Sequence, residues 1–196
     1  SCRVQPCKPW HTPLNVESTL NQPFFSPYLY YQTKVIKPFV SRAEGVYIYD
    51  HNGKQYLDGC SGAMICNIGH GDPRVMEAIR EQGDIAFFTY RTQFENEPAH
   101  RLAQLLVENS SPHLNRVFYV SSGSEAVESA IKLCQQYYYA RGDSRNVIIS
   151  RYPSYHGATL GALSLTSYAV LENPFRQLLR AHPRIPAPYC YRCEYK

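Results

Sequence analysis

Ser121-Ser122-Gly123-Ser124-Glu125-Ala126-Val127 is the stretch whose reading decides the fold. A short apolar run, Val117-Phe118-Tyr119-Val120, precedes it, and a helix-patterned segment from Glu125 to Arg141 follows. In that segment Val127, Ile131, Cys134 and Tyr138 recur at three- to four-residue spacing, as do Ala126, Ala130, Leu133 and Tyr137. An apolar face this wide predicts a helix buried against a sheet. Gly142 is placed to end it. Asn146-Val147-Ile148-Ile149-Ser150 is a continuous apolar run of the kind found inside a parallel sheet. Residues 117–150 therefore read as one β-turn-α-turn-β unit with a right-handed crossover.

A small-residue turn between a strand and a helix leaves backbone N–H groups unpaired at the positive end of the helix dipole. Such a turn suits a phosphate. The same residues suit an ordinary cap, because Ser is a favoured N-cap and Gly eases a tight turn. The next stretch bears on the choice. Arg151-Tyr152-Pro153-Ser154-Tyr155-His156-Gly157-Ala158-Thr159 follows the second strand and leads into another helical pattern at Leu160, Leu163 and Ser164. Ligands of open α/β sheets bind at the carboxyl ends of the strands. The turn and the aromatic loop both fall at that edge.

Working back toward the start, Asn96-Glu97-Pro98 opens a helix with Ala99, Leu102, Leu105 and Leu106 on one stripe. Phe87-Phe88-Thr89-Tyr90-Arg91-Thr92-Gln93-Phe94 suits a strand, a binding loop or an interface segment. Asp72 caps a further helix with Pro73 at its first position. Asp58–Met64 and 67–73 read as loops, and His70 is either a ligand or base or a residue that bonds its own loop. Val46-Tyr47-Ile48-Tyr49 and Gln55-Tyr56-Leu57 flank Asn52-Gly53, which predicts a hairpin with a type I′ turn. Gly45 ends an earlier short strand. Residues 1–27 hold five prolines without a sustained period and predict an extended or poorly ordered arm.

Composition narrows the function classes. The chain has 196 residues, enough for one sizeable core and a small appended lobe. The net charge of +4 comes without a basic run, so no nucleic-acid partner is expected. No apolar run approaches the roughly 20 residues of a membrane span, so no membrane partner is expected either. Seven cysteines, an odd number at irregular spacing, fit a reduced intracellular compartment, such as the cytoplasm, better than a disulfide framework. No signal segment opens the chain. It begins at Ser and is expected to be processed, trimmed or part of something longer.

Several motifs fail. No G-x-G-x-x-G follows a strand, and no Gly-Lys-Ser/Thr occurs. Ser129-Ala130-Ile131-Lys132 matches S-x-x-K but falls mid-helix without companion motifs. Cys190-x-x-Cys193 is half a zinc site, but two packed thiols near the end of the sequence are the favoured reading, and no metal is assigned to the chain.

Five ordered blocks carry a family resemblance. They are Gly45-Val46-Tyr47-Ile48-Tyr49-Asp50 with Asn52-Gly53 and Tyr56-Leu57-Asp58-Gly59; Asn67-x-Gly69-His70 with Pro73; Gln93-Phe94 with Asn96-Glu97-Pro98-Ala99; Ser122-Gly123-Ser124-Glu125-Ala126; and Tyr155-His156-Gly157-Ala158-Thr159-Leu160-Gly161-Ala162. In this order and spacing the chain resembles the class III aminotransferases, pyridoxal-phosphate enzymes of fold type I, from about residue 28 onward. The resemblance implies a partial α/β fold: a small-domain segment at 28–85, then the first part of a large mixed or parallel-sheet domain at 86–196.

It also implies that Ser122, Gly123 and Ser124 hold the phosphate of pyridoxal 5'-phosphate and that Tyr155 stacks on the pyridine ring. The family's Schiff-base lysine and the carboxylate facing the pyridinium nitrogen lie well beyond these motifs. Lys8, Lys34, Lys37, Lys54, Lys132 and Lys196 match neither position, so no catalytic residue is assigned in this chain. The implied reaction moves an amino group from an amine or ω-amino acid to an oxo acid, in a homodimer whose sites draw on both chains. Phe87–Phe94 is a candidate to face a partner's site. A fold type I lyase, decarboxylase or racemase, or an inactive fragment, remains the alternative.

Overall fold

The computed structural model describes residues 29–30 and 34–195, so the expected arm at 1–27 lies outside the described residues. The described residues up to Glu95 form one compact unit and those from Asn96 a second.

The first unit opens with a three-stranded antiparallel meander, β1 (Val40–Glu44), β2 (Tyr47–Asp50) and β3 (Gln55–Leu57). Glu44 pairs with Tyr47 and Tyr47 with Leu57. Ser41 slips out of register, and its hydroxyl donates to the Tyr49 and Asp50 carbonyls at 3.1 and 3.0 Å. Gly45 (φ 55°) turns the chain between β1 and β2, as its position predicts. The second hairpin forms where Asn52-Gly53 predicts it, but with a different turn. Gly53 takes a positive φ of 78° and Asn52 does not. The Gly53 N–H donates to the Asp50 carbonyl at 3.0 Å, and the Asp50 N–H donates to the Lys54 carbonyl at 3.1 Å. This is a three-residue loop with glycine in the left-handed position, not a type I′ turn. Asp50 explains the choice: its Oδ1 accepts the Asn52 and Lys54 N–H groups at 2.9 and 3.0 Å, a local bond available to Asp and not to most side chains.

After a kinked turn, α1 (Ser61–Met64), comes α2 (Pro73–Ile85). It starts where expected: Asp72 Oδ1 accepts the Arg74 N–H at 2.9 Å, and Pro73 sits in the first turn.

The second unit contains α3 (Glu97–Glu108), α4 (Gly123–Ala140), β4 (Ser150–Tyr152), α5 (Leu160–Leu165), α6 (Ala169–Glu172) and β5 (Arg184–Pro186), with 3₁₀ turns at Asn173–Leu178 and Cys190–Arg192. Asn96 caps α3 by accepting the Ala99 N–H at 3.0 Å. The end of α4 is a Schellman motif: Gly142 (φ 75°) donates to the Tyr139 carbonyl at 3.0 Å and Asp143 to the Tyr138 carbonyl at 2.9 Å.

β4 and β5 are parallel, with Ser150 opposite Arg184 and Tyr152 opposite Pro186. The apolar run at 146–150 thus enters a parallel pair only at its last residue, and the strand continues to Tyr152. Residues 117–120 join neither sheet among the described residues. A parallel strand needs neighbours supplied from elsewhere in the chain, and here only residues 184–186 supply one. The second unit's buried apolar residues are Ala162, Leu163 and Leu165, with Ser164 and Thr166 buried beside them. α4 does not bury its wide face as expected. The stripe of Ser124, Val127, Glu128, Ile131, Gln135 and Tyr138 is half-covered, whereas Ala126, Ala130, Leu133 and Tyr137 are exposed.

Candidate functional site

The cradle is built by the start of α4. Ser122 has extended backbone (φ −156°, ψ 164°), and its Oγ accepts the Glu125 N–H at 3.2 Å. Glu125 Oε2 accepts the Ser121 N–H at 2.7 Å. Ser122 and Glu125 together form a near-reciprocal cap of the kind an S-x-x-E spacing allows. Both alternatives weighed for this stretch are therefore present at once, a cap and an open helix end. The cap satisfies the N–H groups of Ser121 and Glu125. Those of Gly123 and Ser124, at the positive end of the helix, donate to no group among the described residues. A Cβ built on Gly123 meets nothing within 4 Å, so the glycine faces open space. Two free N–H groups, an absent side chain and a helix dipole suit a phosphate dianion.

The aromatic loop is built by β4 and α5. Its framework is a set of hydrogen bonds to Thr166 and Ser167. The His156 N–H donates to Thr166 Oγ1 at 3.0 Å, and that hydroxyl donates to the Gly157 carbonyl at 3.1 Å. The Ser154 N–H donates to Ser167 Oγ at 2.9 Å, and the Ser167 N–H donates back to the Ser154 carbonyl at 2.9 Å. His156 Nε2 lies 2.8 Å from Ser154 Oγ, so the histidine braces its own loop. Thr166 is fully buried, which makes this the most enclosed polar network in the second unit. Tyr155, two residues from Gly157, keeps 57% of its surface exposed and is free to cover a planar ligand.

Cradle and loop come together. Ser124 Oγ accepts the Ala158 N–H at 3.0 Å and keeps its own proton to donate. Gly157, at φ 141°, lets the loop approach: a Cβ there would sit 2.6 Å from Ala162 Cβ and 2.9 Å from Ser124 Oγ. Four predicted residues, Ser122, Gly123, Ser124 and Tyr155, therefore belong to two elements joined by a direct bond. Two residues that the sequence reading missed, Glu128 and Thr166, hold those elements. Glu128 stands outside both apolar stripes read from the sequence and carries no signal there. Thr166 carries none, since a threonine after an apolar run is common.

His70 is explained by its own unit. Its Nε2 lies 2.8 Å from Asp58 Oδ2 and its Nδ1 3.5 Å from Cys66 Sγ. The imidazole, and then the Ser61 and Cys60 N–H groups, hold the Asp58 carboxyl below its usual range against the opposing effect of burial. His70 and Gly45 exchange backbone hydrogen bonds at 2.8 and 3.0 Å, which tie the loop to the meander. Gly69 makes this possible: it has φ 84°, and a Cβ there would sit 2.9 Å from the Gly45 carbonyl oxygen. A groove of about 660 Å³ along α2, lined by Ile68, Val75, Ile79 and Phe87 among others, shares no residue with the cradle. Cys190 and Cys193 are free thiols, and among the described residues no group of three His, Cys, Asp or Glu could hold a metal. No helix of the described residues is long and apolar enough to cross a membrane.

Comparison with known proteins identifies the family. The family described as Aminotransferase class-III matches residues 30–196. The chain is 46% identical over 160 residues to the uncharacterized aminotransferase YodT of Bacillus subtilis, covering 81% of this chain and 36% of that protein. It is 36% identical over 191 residues to the adenosylmethionine-8-amino-7-oxononanoate aminotransferase of Methanocaldococcus jannaschii, covering 93% and 41%. The crystal structure of an enzyme of that name from the same organism superposes with a TM-score of 0.77 at 35% identity, over 85% of this chain and 40% of that one. An (S)-enantioselective omega-transaminase from Thermomicrobium roseum superposes with a TM-score of 0.79 at 31% identity, over 94% and 42%. The chain thus spans about two fifths of the length of these proteins. Its α/β architecture is part of the fold type I transferase fold that they share. The chain belongs to the class III aminotransferase family.

Proposed function

We propose that this chain is the N-terminal part of a pyridoxal-phosphate-dependent aminotransferase. In this reading residues 28–85 belong to its small domain and 86–196 to the first part of its large domain. The protein moves an amino group from an amine or ω-amino acid to an oxo acid, acts as a homodimer and works in the cytoplasm or another reducing compartment. The observation that carries the reading is the pair of unpartnered N–H groups at Gly123 and Ser124, opening onto free space beside the Tyr155 loop.

Each residue has a defined task. Gly123 and Ser124 donate backbone N–H groups to the cofactor phosphate, and the Ser124 hydroxyl donates a further hydrogen bond. The Ser122 side chain is occupied by its cap, so Ser122 acts by setting the direction of the turn. The Tyr155 ring covers one face of the pyridine and excludes water from it. When bound, pyridoxal phosphate supplies the electron sink that stabilises a carbanion at the amine-bearing carbon. The lysine and carboxylate that the family uses at the other end of the cofactor lie outside residues 1–196. This chain therefore contributes binding and orientation only.

The test is turnover. Full-length protein with pyridoxal phosphate is expected to transaminate at least one pairing of an amine or ω-amino acid donor with an oxo acid. The 196-residue chain with the same cofactor is expected to show none. Turnover by the short chain would overturn the division of labour, and absence of turnover by the full-length protein across a donor panel would overturn the reaction class.

A further inference from the structure

α5 begins without a cap of its own. Thr159 occupies the capping position, yet its side chain caps none of the helix's first N–H groups. Those groups are satisfied from another helix. Glu128 Oε1, on α4, accepts the Gly161 N–H at 2.8 Å and the Ala162 N–H at 3.2 Å. The nearby Thr159 hydroxyl, ahead of these N–H groups, holds the Glu128 carboxyl below its usual range. Behind this contact Ala162–Leu165 are buried, with Ala162 and Leu163 at 0% and 4% exposure, while Leu160 at the start of the helix stays half exposed. A Cβ on Gly161 would lie 2.3 Å from Glu128 Oε2, so a side chain there would push the carboxylate off its contact.

Glu128 is one helical turn from Ser124, on the same half-covered stripe of α4. Ser124 holds the Ala158 N–H, so α4 grips 158–162 at two points four residues apart along its own axis. The first point belongs to the cradle and the second does not. Two points fix an orientation where one fixes only a distance. Tyr155 lies just before this doubly held segment, and Thr166 and Ser167 fix the loop from its other side.

We propose that Glu128 is a positioning residue for the cofactor ring: by capping α5 from α4 it sets where the Tyr155 loop stands relative to the phosphate cradle. This rests on the proposed cofactor site and deepens it. Glu128 reaches the ring only through the loop and leaves the Gly123 and Ser124 N–H groups untouched. Its loss should therefore weaken the ring end of the ligand and spare the phosphate end. A merely stabilising contact would affect both ends alike.

The experiment uses full-length apoprotein, titrated with pyridoxal phosphate by absorbance and visible circular dichroism, with inorganic phosphate as competitor. Glu128→Ala is expected to weaken pyridoxal phosphate binding about tenfold or more, because it leaves two N–H groups without an acceptor. The dichroic band of the bound cofactor should shrink, and the competition constant of inorganic phosphate should stay within about twofold of the parent's. Glu128→Gln keeps an acceptor oxygen and is expected to restore both affinity and band. Gly161→Ala attacks the same contact from the opposite side and carries the test with the same expected result if Glu128→Ala does not fold. Unchanged cofactor affinity in Glu128→Ala, or equal losses for cofactor and phosphate, would overturn the proposal while leaving the cofactor site standing. Failure of the parent protein itself to bind pyridoxal phosphate would overturn the site and the proposal together.

Discussion

The loop and helix at 154–167 and the outer face of α4 lie in one compact unit and differ in completeness. In the first, polar groups are paired and the side chains of Ala162, Leu163 and Leu165 are shielded from water. In the second, Leu133 is 66% and Tyr137 53% exposed, and Phe118, on the segment leading into α4, is 60% exposed. The contrast separates two kinds of information. Hydrogen-bonded turns and caps close with partners a few residues away, so a partial chain can complete them. An apolar face closes only against another layer. The turn at Ser121–Glu125 and its contact with Ala158 belong to the first kind, and their local bonds are complete here.

The closed region responds most strongly to substitution. Leu163→Ala in the full-length protein should lower stability by about 2–5 kcal/mol, since a buried leucine leaves a cavity. Urea unfolding gives the value, and a loss below about 1 kcal/mol would mean that Leu163 is not packed as described. Thr166→Val removes a buried hydroxyl that serves both the His156 N–H and the Gly157 carbonyl. It should cost about 1–3 kcal/mol and loosen the Tyr155 loop, read as faster amide exchange at His156.

Acid tests the local bonds collectively. The Tyr56 hydroxyl lowers the Asp50 carboxyl, His70 lowers that of Asp58, Arg74 brings that of Asp72 to about 2, and the Thr159 hydroxyl lowers that of Glu128. Each depressed folded value means that the unfolded chain binds more protons as the pH drops through its own carboxyl range. Stability from these groups is complete above about pH 5 and is lost as pH falls through 4 toward 2. Thermal midpoints measured across that window should fall with pH, and a flat profile would contradict the bonds.

The weak side gives the smallest effect. Leu133→Ala should change the stability of the 196-residue chain by no more than about 0.5 kcal/mol, as for an exposed position. A larger cost in the full-length protein is expected if that face is packed there. Equal effects in the two would break the comparison.

How legible each region was follows the same division. The caps at Asp72, Asn96 and Ser122 and the glycine stop at Gly142 follow from side-chain chemistry within a few residues, and they stand where the sequence puts them. The Asn52-Gly53 turn was legible in place but not in type, since the deciding group, the Asp50 carboxylate, competes from just outside the turn. β5 was hidden because Arg184-Ile185-Pro186 lies among prolines and pairs with β4 across more than 30 residues. The cradle and Tyr155 carry a motif. Glu128 carries none, because a carboxylate that caps a distant helix has the same local sequence as one that faces water.

Gly123→Ala in full-length protein, titrated with pyridoxal phosphate, tests the cofactor site most directly. Gly123 has no positive φ and an added methyl meets no protein atom, so the variant should keep the parent's melting temperature. The methyl would occupy the space assigned to the phosphate, and affinity is expected to fall about 10- to 200-fold. Parent-like affinity in a folded Gly123→Ala protein would contradict the placement of the phosphate at this helix end.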